Sequence, residues 1–123
     1  MADTQPIRVS ILNKGAALTA GDRDQSYGDP MVNLGLAGEI KTLCRRVQAR
    51  PMHPAEIEAI DQVITKVARV YTGPQVKEDN YIDGATYFAI AGEAAIINLE
   101  ARKVEDFRQS MESRASNINS NIE

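Results

Sequence analysis

The chain has no tryptophan, one cysteine and one histidine; four tyrosines and two phenylalanines are its only aromatic residues. Each scarcity removes a class of function. So few aromatic side chains leave no platform on which successive bases of a single strand stack. A net charge of −3 gives no general attraction to nucleic acid or to an anionic membrane surface. Cys44 has no partner for an internal disulfide. Without paired Cys and His there is no zinc signature, and a lone His53 gives Ser-His or Cys-His relays little support. No apolar run approaches the roughly 18 residues that span a bilayer, and the start, MADTQPIRV, lacks the apolar region of a signal peptide. The expectation is a cytoplasmic protein with no membrane or nucleic-acid partner.

Alternating strand patterns and glycine-rich phosphate loops are also missing. What is present is helical periodicity, in 123 residues that are 43% hydrophobic and 25% charged. That length makes one domain able to bury a core, yet small enough to gain from a second chain. Ile7, Ile11, Leu12 and Leu18 fall roughly on one stripe of a helix over 7–20, with Gly21 as its C-cap. Residues 21–30, GDRDQSYGDP, read as a loop, and Asp29-Pro30 as the N-cap and first position of a helix reaching Gln48. Cys44 on that helix reads as a small buried hydrophobe. The prolines of ARPMHP break the chain, leaving His53 on a surface loop. A third helix over 54–72 carries Ile57, Ile60, Ile64, Val67 and Tyr71 at spacings of three and four.

A last helix starts at Asp79 or Asn80 and meets nothing to stop it before the Asn/Ser-rich tail near Ser116. Ile90, Ile97, Val104 and Met111 recur every seventh position, with Ala94 and Ala101 between them, a pattern for close helix pairing. The fold class expected is all-α: a four-helix bundle-like domain over 1–112 with a long C-terminal helix and a flexible polar tail over 113–123. Because the overhanging half of the last helix has no intrachain partner, a homo-oligomer through it is expected.

The stretch KVARVYTGPQVKEDNYIDGATY, residues 66–87, organises the chemistry. Lys66 and Arg69 share a helix face, as do Asp79, Asp83 and Tyr87, and the turn at Gly73-Pro74 folds one set toward the other. Cations, carboxylates and a tyrosine meeting there suit a phosphate-bearing ligand, with or without a metal, and equally suit a structural salt-bridge network. The loop with Arg23 and Tyr27 beside a helix start suits an anion as well.

The series R-D-x-x-Y-G-D-P-x-x-N at 23–33, K-x-x-R at Lys66 and Arg69, and D-N-x-x-D-x-x-x-Y from Asp79 to Tyr87 resembles an uncharacterised phage and prophage domain family. The resemblance covers roughly 7–99. That family is in turn similar to the all-α nucleotide pyrophosphohydrolases of the MazG and dUTPase type, helical oligomers that cleave nucleoside triphosphates with magnesium. Such chemistry uses a Glu-x-x-Glu on one helix and a Glu-x-x-Asp on a later one to hold hard cations against phosphates. Here Asp79 and Asp83 stand for part of the later pair, and Glu39 alone stands where the earlier pair belongs. The loss weakens metal binding and hydrolysis more than it weakens recognition.

The resemblance thus implies a phage-type protein that binds a linear or cyclic nucleotide and sequesters it, as anti-defence sponges do. Arg23, Lys66 and Arg69 would take phosphate, Tyr27 or Tyr87 a base or ribose, and Asn33, Asn80 and Asp83 the sugar or base edges. The alternative is a Mg²⁺-dependent pyrophosphohydrolase with Asp79 and Asp83 on the metal, joined by Glu39 or by Glu93 of another subunit. A third reading is a structural or protein-interaction module working through the long helix.

Overall fold

A computed structural model describes residues 4–21 and 23–122, the side chains of Arg23, Asp24 and Ile122 excepted. The helices are α1 (Ile7–Ala20), α2 (Arg23–Tyr27), α3 (Pro30–Arg46), α4 (Pro54–Thr72) and α5 (Glu78–Ile122), and no strand occurs among the described residues. The chain is all-helical with a long C-terminal helix.

Local chemistry sets the boundaries. The Met31 backbone N–H donates to Asp29 Oδ1 at 2.9 Å and Pro30 opens α3. His53 does more than sit on a loop: its Nδ1 accepts from the Ala55 N–H at 3.0 Å and caps α4, again with proline next. Arg45 and Arg46 occupy the last turn of α3, where the helix dipole favours cations. Gly73 ends α4 by donating its N–H to the Arg69 carbonyl at 3.0 Å, and Pro74 prevents continuation.

α4 lies between α3 and α5 and packs on both. Against α3 the core is Ala37, Ile64 and Ala68, covered by Leu36, Ile40 and Ile60. Ala59 and Ala91 complete the buried apolar set among the described residues. A core made mostly of alanine lets backbones approach closely but withdraws little area from water. Glu56 is buried too, and Arg50 meets both its oxygens, at 2.6 and 3.0 Å.

Several expectations change. Part of the segment read as a loop winds into the short helix α2. α3 stops at Arg46, two residues early. Cys44 is exposed, because it lies on the open side of α3 above a groove toward α4. The α4 stripe is only partly covered: Ile64 is buried, but Val67 and Tyr71 are exposed, Tyr71 at 81%. α1, the anticipated first helix of a bundle, buries none of its residues and touches α2; Ile7, Ile11, Leu12 and Leu18 all face outward. α5 begins at Glu78 and continues through the Asn/Ser-rich end to Ile122, 45 residues in all. No helix among the described residues is long and apolar enough to cross a membrane.

Candidate functional site

The face carrying Lys66 and Arg69 does meet the start of α5, but the two cations take different partners. Lys66 Nζ reaches Asp83 Oδ2 at 3.1 Å, with the lysine side chain only 14% exposed. Arg69 turns instead to Tyr27, its guanidinium carbon 5.8 Å from the ring centroid. Lys77, in the turn before α5, brings its Nζ within 5.6 Å of the same centroid. The tyrosine that joins the cations therefore comes from α2.

Backbone geometry delivers it there. Gly28 has φ +85°, and a β-carbon at that position would sit 2.7 Å from the Thr72 carbonyl oxygen. A β-carbon at Gly73 would sit 2.8 Å from the Arg69 carbonyl oxygen. The two glycines permit the loop after α2 to lie against the end of α4. Gln75 Nε2 reaches toward the Gln25 carbonyl at 3.4 Å across the same contact.

Asn80 stands in the first turn of α5. It is 4% exposed, and its Oδ1 has no hydrogen-bond partner among the described residues. An unanswered buried polar atom costs about 1–3 kcal/mol, so its persistence calls for a physical reason. Two grooves meet at Asn80, Val70 and Tyr81. One, of about 290 Å³, runs along Lys66, Val67, Tyr71 and Gly84; the other, of about 130 Å³, runs along Gly73–Val76 to Lys77. Arg69 and Lys77 face no carboxylate within ion-pair distance among the described residues. The amino-terminal end of α5 adds positive partial charge. The arrangement offers cations at one end, a buried acceptor at the centre and two exposed tyrosines along the longer groove.

Of the residues singled out in the sequence, the structure gathers Tyr27, Lys66, Arg69, Asn80 and Asp83 around the α4–α5 turn. Asn33 and Tyr87 are half-buried on α3 and α5 and line neither groove, and Asp79 is exposed. The Arg23 side chain lies outside the described residues. Lys77 and Tyr81 went unremarked in the sequence, and Tyr71 was read only as part of the apolar stripe of the third helix. Two tyrosines flanking the Gly-Pro turn, with a lysine just before the helix start, were the available signal.

Within the single chain the candidate metal ligands do not come together. Asp83 is already neutralised by Lys66, Asp79 points to solvent, and no three Asp, Glu, His or Cys side chains among the described residues converge on a cation-sized space. Glu39 lines a separate surface depression with Leu43 and Arg46.

Comparison with known proteins places the cluster within a shared domain. No curated protein and no solved structure matches the chain. Residues 10–95, which hold every motif of the site and stop short of the α5 overhang, match a family described as a domain of unknown function. The chain belongs to that family, DUF6378.

Proposed function

We propose that the chain binds a phosphate-bearing nucleotide, linear or cyclic, at the α4–α5 turn and holds it without cleaving it. The observation that carries this reading is the buried Asn80, which lines both grooves and whose Oδ1 has no hydrogen-bond partner among the described residues. An acceptor there suits the N–H of a base edge or a ribose hydroxyl, and a ligand supplying that donor repays the desolvation cost. Lys77 lines the shorter groove and shares the Tyr27 ring with Arg69, so a phosphate there would meet charge-assisted hydrogen bonds and the positive end of α5. Tyr71 and Tyr81 border the longer groove, wide enough for a base. Sequestration is favoured over hydrolysis because Asp83 serves Lys66 and no cluster of three carboxylate, imidazole or thiol ligands forms among the described residues. In a cell such a protein would lower the free concentration of a nucleotide signal, the role of a phage anti-defence sponge.

The test incubates the purified protein with a panel of linear and cyclic nucleotides, with and without Mg²⁺, and filters the protein away. Loss of one nucleotide from the filtrate and its intact return on heat denaturation supports sequestration. Conversion to monophosphate and pyrophosphate only with Mg²⁺ supports hydrolysis instead. If every nucleotide passes through unchanged, the nucleotide reading fails.

A further inference from the structure

Beyond Ala91 and its half-buried neighbours, α5 leaves α4 behind, and every described residue from 99 to 121 is exposed. That overhang is about 35 Å of helix. Helical stability in proteins comes mostly from covering an apolar face rather than from intrinsic propensity. Val104, Phe107 and Ile118 are more than half exposed, and Met111 nearly so. The chain as a whole shows 9629 Å² to solvent. A compact monomer of its 13.5 kDa mass would show about 6,500 Å². The difference, roughly 3,000 Å², is shared by the overhang and by α1, which buries none of its residues, and it exceeds the roughly 800 Å² that each partner withdraws at a standard interface.

We infer that the α5 overhang pairs antiparallel with the same segment of a second copy, in the register that sets Arg108 against Met111 of the partner subunit. The heptad stripe decides the direction. Val104, Met111 and Ile118 occupy one core position of each heptad, and Ala101, Arg108 and Ala115 the other. In a parallel pair the two Arg108 side chains would share one layer, an arginine–arginine contact at the middle of the seam with no apolar partner for either stem. The antiparallel register removes that contact. It also matches small to large throughout: Ala101 meets Ile118, Val104 meets Ala115, and the Arg108 stem lies along Met111, with each layer repeated by symmetry.

Arg108 is already prepared for this place. Its guanidinium pairs with Glu105 at 2.6 Å and with Glu112 on its own helix, so its charge is answered at the flank of the stripe while its methylenes cover the seam. On the other flank Phe107 comes opposite Arg114 of the partner subunit, a cation–π pairing of a half-exposed ring. The pairing involves no residue of the nucleotide reading and stands or falls separately from it. With the seam centred between Arg108 and Met111, the two Asn80 sites lie about 90 Å apart along the helix axis, at opposite ends.

The experiment uses the full chain carrying Cys44→Ser, which removes its one exposed thiol. Sedimentation equilibrium is expected to give a dimer, and Val104→Asp a monomer that keeps the helical circular dichroism of α3, α4 and the packed part of α5. A nitroxide at Ser110 or, separately, at Ser120 then measures the spin–spin distance by pulsed dipolar spectroscopy. Antiparallel pairing predicts a short separation at 110 and about 32 Å at 120, the latter being twice the axial offset from the centre. Arg108→Leu gives the parallel form an apolar pair in that layer, and a short-distance population at 120 should appear. A monomeric wild-type chain, a trimer or larger assembly, or short distances at both label positions overturns the inference.

Discussion

Arg69 and Lys77 share the ring of Tyr27, at 5.8 and 5.6 Å from its centroid, although the three residues come from α4, the turn after it and α2. One aromatic side chain thereby holds two cations side by side that would otherwise repel, and fixes the short helix α2 to the end of α4. Lys77 continues into the groove wall, so the same contact sets the cationic end of the candidate site.

Replacing Arg69 with alanine removes a phosphate partner but only one cation–π contact. Nucleotide retention should fall at least about tenfold, the loss expected for a charge-assisted hydrogen bond. A cation–π contact at a partly exposed site is worth roughly 0.5–1 kcal/mol, so the melting temperature should drop by only a few degrees. A steep loss of Tm with binding intact would identify Arg69 as a purely structural residue.

Asn80→Ala separates ligand recognition from folding in the opposite way. Relieving a buried amide oxygen that has no partner offsets the small void the truncation leaves, so the Tm without nucleotide should move by no more than a few degrees. Retention by the filtration assay should fall. A pronounced thermal destabilisation would mean that the amide is satisfied within the fold.

Gly28→Ala tests the docking of α2. The φ of +85° and the 2.7 Å approach to the Thr72 carbonyl make a β-carbon costly, by about 2 kcal/mol or more. The Tm should fall by roughly 6–12 °C, and hydrogen exchange should accelerate at Gly73, whose N–H closes the end of α4.

Asp83→Asn distinguishes the ion pair from a metal ligand. With Lys66 relieved of its carboxylate 3.1 Å away, a phosphate-bearing ligand should be held as well as or better than in the wild type, and isothermal titration would register it. Loss of all retention would argue that Asp83 itself touches ligand or a bound cation.

The Glu56 carboxyl is held below its ordinary value of 4.5, first by hydrogen bonds from Arg50 and further by that residue's charge, against the opposing effect of burial. A depressed folded-state value stabilises the fold fully above the ordinary glutamate range and ceases to do so as pH falls through the lower value. Acid titration followed by circular dichroism should therefore show a destabilising limb below about pH 4.5, and Glu56→Gln should flatten it while lowering the Tm at neutral pH.

Local chemistry was readable from the residues themselves. Asp29-Pro30, Gly73-Pro74 and the spacing of Ile57, Ile60 and Ile64 act within a few positions of themselves, so the all-α class, the start of α3 and the limits of α4 follow from the chain alone. The uncovered seven-residue stripe of α5 was legible for the same reason. The partners of the site residues were not. That Lys66 takes Asp83 while Arg69 takes Tyr27, that Asn80 rather than Asp79 turns inward, and that Lys77 joins the cluster depend on how α4 rotates between its two neighbours. The close backbone approach at Gly28 and Gly73 then decides where α2 lands. Periodicity states which residues share a face; only packing of that face against another helix selects which of them meet.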